Sequence, residues 1–279
     1  MEQSLSDKYF SEDYHTSDLR VSLFKMAKAF LLNPDLFLSK KKYLFVIGHM
    51  RCYSSMLSHI LGSHEQVSGY SEMQQPYHGY YDLMKLRYRV YLSCDKTLKG
   101  NFILDKILHN QYNIPLSFFE SQNFIFIFLL RKPELSFRSI LRMAQKNQGV
   151  IFHWSADHNL MLDYYLKRLA LMEQYAMKLR NNAVFIPAER LMENTEVVLQ
   201  SLSGWLKFGA PLQQHYDLFK YSGYRGFGDA AGNVLKGKVI SGKDVEEKEI
   251  FIDPEIINVA GKAYEQCYRV LEKHCLVIK

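Results

Sequence analysis

The sequence has 279 residues, and its 48% hydrophobic and 14% aromatic content excludes an intrinsically disordered chain. The net charge of +6 is modest and spread along the chain, which favours an enzyme with an anionic ligand over a nucleic-acid-binding protein. No apolar run approaches the ~20 residues of a membrane span. The four cysteines have no paired spacing, so we expect no zinc site, no disulfide framework and a cytoplasmic location.

Strand-like and helix-like segments alternate along the chain. Residues 1–17 are predicted to be a flexible lead-in, and the glycine-rich segment 222–242 is predicted to be a long loop. The helical patterns cover 18–32, 54–61, 77–91, 115–120, 133–141, 157–180, 194–205 and 254–274, and the strand patterns cover 43–47, 67–70, 102–104, 124–130 and 183–186. This alternation predicts one α/β domain over 1–279, a three-layer α/β/α fold around a central, mostly parallel sheet.

The most informative stretch is 41–61, which is predicted to form a strand, a tight loop and a helix. The apolar run 43–47 is typical of a strand buried on both faces, and Gly48 ends it. Ser54 and Ser55 then precede a helical pattern. The free N–H groups at the start of such a helix, together with its dipole, favour binding of a phosphate-like anion.

The spacing from Gly48 to Ser55 is that of the nucleotide-binding P-loop, Gly-x-x-x-x-Gly-Lys-Ser/Thr. Here Tyr53 occupies the position of the second glycine, and Ser54 replaces the lysine. Arg51 is the strong cation of this loop, and its planar guanidinium suits a pair of phosphate oxygens.

A second candidate anion site follows the most apolar strand, 124–130. That strand ends at Arg131, and Ser139 lies eight residues later in a helix predicted to begin at Pro133. Ligands of α/β folds bind at the carboxyl ends of the strands. Two such sites predict a ligand with phosphates at opposite ends of a nucleoside.

Three segments resemble sulfotransferases that use 3′-phosphoadenosine 5′-phosphosulfate (PAPS). GHMRCYSSMLSHIL is similar to the family's 5′-phosphosulfate loop, and LLRKPELSFRSIL resembles its 3′-phosphate motif. A third, weaker match is VFIPAERLMENTEVVLQSLSGWLKF. The resemblance implies that the cofactor contacts are made by Gly48, Arg51, Cys52, Tyr53, Ser54, Ser55, Arg131 and Ser139. Met50, Cys52 and Tyr53 depart from the proline, serine and glycine of the family pattern.

The resemblance also implies a reaction. A sulfuryl group would move by in-line displacement from PAPS to a hydroxyl or amine, leaving adenosine 3′,5′-bisphosphate. Because the transferred group carries less charge than a phosphoryl group, protein cations and N–H groups can neutralise the leaving phosphate without a metal. Lys236 and Gly237, in the glycine-rich segment, resemble the family's late loop that covers the cofactor.

An acceptor hydroxyl needs a general base, and Glu72 is our leading candidate because it follows a short strand toward the same sheet edge. His109 is the rival. Lys106 is assigned, by resemblance, as the cation near the bridging oxygen. The tyrosine-rich segment 70–91 is a candidate lining for the acceptor cleft.

Two other functions remain open at this level. A P-loop kinase would use ATP and Mg²⁺, with Asp105 as the metal ligand after its strand. A catalytically degenerate loop would leave a nucleotide-binding module. The sequence sets neither the oligomeric state nor the acceptor, for which a carbohydrate, a lipid-like alcohol and a polyketide hydroxyl all remain open.

Overall fold

The computed structural model describes residues 21–146, 157–224, 233–240 and 250–278. Within these ranges six strands form one sheet in the order β2-β3-β1-β4-β5-β6, and every neighbouring pair is parallel. The strands are β1 Lys42–Ile47, β2 Val67–Ser68, β3 Phe102–Ile107, β4 Phe124–Leu130, β5 Ala183–Pro187 and β6 Leu276–Val277.

The first two described helices precede β1, and the others lie between successive strands. The helices are α1 Leu23–Leu32, α2 Asp35–Leu38, α3 Ser54–Gly62, α4 Tyr80–Ser93, α5 Leu116–Phe119, α6 Pro133–Lys146, α7 His158–Ala176, α8 Ala188–Glu193, α9 Thr195–Leu206 and α10 Pro254–His274, with a 3₁₀ helix at Asn233–Lys236. None of the described helices is both long enough and apolar enough to cross a membrane.

The core lies on both faces of the sheet. Alternate residues of β1 point to opposite faces, so Phe45 packs with the aromatic residues under α7 and α10, while Leu44 and Val46 pack under α3 and α9. All three side chains are fully buried. This burial explains the continuous apolar run in the sequence, and it confirms the predicted three-layer α/β/α fold.

The predicted elements are mostly confirmed, and the exceptions have physical reasons. Strand β3 continues to Ile107, so Asp105 and Lys106 lie within it and not at its end, because every residue of β3 is buried and pairs with β1. Strand β2 ends early, and Gly69 follows it with a φ of 104°. The short elements α2, α8 and β6 and the 3₁₀ helix at Asn233–Lys236 were not predicted. The lead-in 1–17 and residues 225–232 and 241–242 of the glycine-rich segment lie outside the described residues.

Candidate active site

The loop between β1 and α3 passes close to β4, and Gly48 makes this approach possible. A Cβ at this position would lie 2.7 Å from Cys52 Sγ and 2.9 Å from the carbonyl oxygen of Leu129. Cys52 is itself fully buried in the core. Its buried side chain therefore anchors the loop, and its predicted contact with the cofactor stays a prediction.

Two residues of this loop have the left-handed conformation that usually favours glycine. Both Arg51 and Tyr53 have a φ of 64°, and Tyr53 directly precedes α3. The Tyr53 ring contacts the guanidinium of Arg131, whose Cζ is 4.2 Å from the ring centroid. This cation–π contact gives the side chain at the second-glycine position a structural role.

The two stretches that the sequence assigned to separate anion sites meet in the structure. Arg51 Nε donates a hydrogen bond to Ser139 Oγ at 2.9 Å. Arg131 Nη1 donates to the backbone oxygen of Arg51, also at 2.9 Å. The guanidinium of Arg51 thus reaches α6. The guanidinium groups of Arg51 and Arg131 and the hydroxyl of Ser139, all of which bind anions well, are connected by these hydrogen bonds.

His49 joins this loop to the end of β4. Its Nδ1 lies 2.9 Å from the Met50 carbonyl oxygen and donates to it, while its Nε2 accepts from the Arg131 N–H at 3.0 Å. Burial lowers the pKa of His49 to about 4, so the ring is neutral at pH 7. The neutral ring can accept the N–H bond and so holds Arg131 in place.

Lys106 supplies the cation at the N-terminus of α3. Its side chain is fully buried, and its Nζ donates to Ser55 Oγ at 3.1 Å. Ser54, the first residue of α3, is also buried. Ser54 replaces the lysine of the P-loop pattern, but Lys106 of β3 places an ammonium group near this position.

Glu72 lies at the same edge of the sheet, shortly after β2. Only 2% of it is exposed, and burial raises its pKa to about 7, an effect that Lys106 and Arg168 partly offset. Its Oε1 is 3.5 Å from His109 Nε2. The two rival candidates for the general base are therefore neighbours.

His109 follows β3 and is mostly buried. Its Nδ1 lies 2.8 Å from the hydroxyl of Tyr164 on α7. Burial, together with the charges of Arg168 and Lys106, lowers the pKa of His109 to about 3. The imidazole is therefore neutral across the physiological range.

Arg168 is a site residue that sequence reasoning missed. It lies on the buried face of α7 and is fully buried, and its Nε donates to the Gly48 carbonyl oxygen at 2.6 Å. Its Nη2 donates to the carbonyl oxygen of Ile107. One side chain thus joins the carboxyl ends of β1 and β3. The available signal was an arginine within the predicted helix 157–180.

Asp105 has a structural environment that does not suit the metal-binding role considered for a kinase. Its carboxylate accepts hydrogen bonds from the backbone N–H groups of Met73 and Lys106, both at 2.8 Å, and from the Tyr77 hydroxyl. Burial raises its pKa to about 7. Both oxygens are engaged in fixing the segment after β2, where Tyr77 is a core residue and not an open cleft wall.

Lys236 and Gly237 belong to a segment that packs beside α3. Val234 of the 3₁₀ helix is buried in the same core cluster as Leu57. Lys236 is exposed, and Gly237 has a φ of 64° and accepts from the Tyr216 N–H at 2.9 Å. Their predicted role as a cofactor cover stays a prediction.

No known family model matches the sequence, and no curated protein matches it either. Among solved structures, the chain is similar to the sulfotransferase domain from the curacin biosynthetic pathway. The two are 13% identical, and the alignment covers 81% of this chain and 98% of that domain with a TM-score of 0.48.

Proposed function

We propose that this protein is a sulfotransferase that moves the sulfuryl group of PAPS to a hydroxyl or amine of a small acceptor. The observation that carries the proposal is the 2.9 Å hydrogen bond from Arg51 to Ser139, because it joins the loop after β1 to the helix after β4. Three cations, Arg51, Arg131 and Lys106, accompany the N-terminus of α3 at this sheet edge.

The donor's anionic groups have matching partners in this proposal. Lys106, Ser55 and the N–H groups at the start of α3 hold the 5′-phosphosulfate. Arg131 and Ser139 hold the 3′-phosphate. Arg131 Nε and Ser136 Oγ are buried and have no hydrogen-bond partner within the described part of the chain, so both can donate to anion oxygens.

The acceptor's proton is assigned to Glu72. A base with a pKa of about 7 is well matched to proton removal near neutral pH. The acceptor oxygen attacks sulfur as the bond from sulfur to the bridging oxygen breaks, and Lys106 stabilises the charge that develops on the leaving phosphate. No metal is assigned a role. The acceptor is a small molecule, with carbohydrate and lipid-like hydroxyl compounds as the first classes to screen.

A binding experiment separates this proposal from the kinase alternative. Thermal unfolding is measured with adenosine 3′,5′-bisphosphate, with ATP and Mg²⁺, and without ligand. We expect stabilisation by the bisphosphate, by about 3 kcal/mol at a hundredfold excess over its Kd. Stabilisation by ATP and Mg²⁺ alone would overturn the proposal.

A transfer experiment separates an enzyme from a degenerate binding module. Labelled sulfate transfer from PAPS is measured with a panel of sugars, lipid-like alcohols and amines. Arg51→Ala should weaken donor binding, whereas Glu72→Gln should lower turnover and leave donor binding intact. Arg180→Ala is a matched control, because Arg180 is exposed and precedes β5 at the opposite sheet edge. Bisphosphate binding without transfer to any acceptor would favour the binding module.

A further inference from the structure

A chain of four polar groups leads from Glu72 into the interior. Glu72 Oε1 is 3.5 Å from His109 Nε2, and His109 Nδ1 is 2.8 Å from the Tyr164 hydroxyl oxygen. That hydroxyl in turn lies 3.4 Å from the carbonyl oxygen of Leu108. Tyr164 therefore has two possible acceptors for one hydroxyl proton, the ring nitrogen and the carbonyl.

The charges around these four polar groups disfavour an imidazolium ion at His109. Lys106 and Asp105 face it from β3, and Arg168 faces it from α7. Tyr112, in the segment after β3, also interacts with Glu72. Since both nearby cations oppose a positive charge on His109, a proton that enters the group is better placed on the carboxylate of Glu72.

The protons on Glu72, His109 and Tyr164 can be placed in two arrangements. When Glu72 is a carboxylate, His109 carries its proton on Nε2 and points it at Glu72, while Nδ1 accepts from Tyr164. When Glu72 is protonated, its O–H donates to Nε2, so the ring proton moves to Nδ1 and points at Tyr164. The Tyr164 hydroxyl then turns to Leu108. The second arrangement holds one proton more than the first, and the imidazole stays neutral in both.

We propose that Glu72, His109 and Tyr164 work as one proton acceptor, in which proton uptake by Glu72 reverses the tautomer of His109 and turns the Tyr164 hydroxyl. The part of this proposal that concerns catalysis rests on the proposed function. There, the acceptor O–H bond breaks as its oxygen bonds to sulfur, and the proton passes to Glu72. The leaving phosphate keeps the electron pair of the broken O–S bond. His109 and Tyr164 are positioning residues, because they act through Glu72.

The tautomer of His109 can be measured in the free protein. ¹⁵N spectra of protein labelled in histidine, assigned with His109→Gln, report which ring nitrogen carries the proton between pH 5 and pH 9. We expect Nε2–H at high pH and Nδ1–H at low pH, with the change centred on the titration of Glu72. A single tautomer throughout, or an imidazolium ion near pH 6, would overturn the proposal.

Two variants separate proton sharing from simple packing. Glu72→Gln has no proton to gain, so His109 should then keep one tautomer at every pH. Tyr164→Phe removes the partner of Nδ1 in both arrangements. We expect it to shift the His109 signals and to lower kcat about tenfold, with KM for PAPS unchanged.

Tyr175→Phe is the matched control, since Tyr175 is a buried tyrosine on the same helix whose hydroxyl accepts from the Ile114 N–H at 3.0 Å. It should leave the His109 signals in place, and equal effects of the two substitutions would overturn the role of Tyr164. The spectra need neither donor nor acceptor. A tautomer switch without sulfate transfer would therefore count against the proposed function and support the proton sharing.

Discussion

The guanidinium of Arg131 lies over the ring of Tyr53, with 4.2 Å between Cζ and the ring centroid. This contact joins the left-handed residue before α3 to the residue that follows β4. A glycine at position 53 would relieve the backbone but would remove the ring that orients Arg131. The aromatic side chain therefore compensates for a conformation that glycine adopts more easily.

Substitutions at Tyr53 should change ligand affinity according to whether they keep the ring. Tyr53→Ala loses a cation–π contact of about 1–2 kcal/mol, so we expect about 5- to 30-fold weaker binding of adenosine 3′,5′-bisphosphate by calorimetry. Tyr53→Phe keeps the ring and should bind as the wild type does. Equal losses in the two variants would show that the hydroxyl matters and not the ring.

The glycine at the start of the loop should be intolerant of a methyl group. In Gly48→Ala the new Cβ would meet the Leu129 carbonyl oxygen at 2.9 Å, and a backbone atom of a central strand cannot easily move. We expect a loss of about 1–3 kcal/mol in the free energy of unfolding, measured with urea.

Gly204→Ala provides the comparison for that substitution. Gly204 lies in α9, and a Cβ added there would have nothing within 4 Å, so alanine should stabilise the helix by about 0.5–1 kcal/mol. Similar changes in the free energy of unfolding for Gly48→Ala and Gly204→Ala would mean that the close approach of Gly48 to β4 does not restrict the side chain at this position.

The sequence predicted the framework well because the central strands are buried on both faces. The apolar runs of β1 and β4 are typical of strands in the middle of a parallel sheet. The residues directly after them, Gly48 and Arg131, lie where the parallel strands of one sheet end together. These positions follow from chain order alone. The location of Glu72 at the same edge follows from the same rule.

The contacts of the candidate site were less predictable, since they depend on side chains distant in sequence. The hydrogen bond between Arg51 and Ser139 depends on the left-handed backbone conformation of Arg51, and an arginine at that position does not predict this conformation. The placement of Lys106 beside Ser55 required β3 to continue two residues farther than its apolar run. Arg168 was not predicted as a site residue, because a single arginine in an amphipathic helix can equally well be exposed.

Removal of Arg168 should move the titration of Glu72 to higher pH. Arg168 is one of two cations that oppose the effect of burial on Glu72, so Arg168→Met should raise its pKa above about 7. The fraction of deprotonated Glu72 at pH 7 then falls, and the acid limb of the kcat/KM profile of the proposed transfer shifts to higher pH. Carboxyl ¹³C spectra of the free protein measure the same pKa directly. Arg180→Met, an exposed arginine at the opposite sheet edge, should leave the pKa unchanged.

Glu72→Gln should make the folded protein more stable at neutral and alkaline pH. Burial raises the pKa of Glu72 from 4.5 to about 7, so between these values the folded protein holds a proton that the unfolded chain has released. The free energy of unfolding therefore decreases as the pH rises through this range, by about 3 kcal/mol in total.

Glutamine carries no charge to bury, so the variant avoids this loss. Its advantage over the wild type should be largest above pH 7 and should shrink as the pH falls toward 4.5. Urea unfolding of both proteins from pH 5 to pH 9 measures the difference. Glu173→Gln is a suitable control, because this partly exposed glutamate on α7 lies away from the sheet edge where Glu72 is found. A gain in stability for Glu72→Gln that persists unchanged at pH 5 would contradict this link between the pKa of Glu72 and the stability of the fold. A gain confined to high pH would mean that the buried carboxylate lowers the stability of the folded protein. Such a cost is expected of a group that is retained for catalysis.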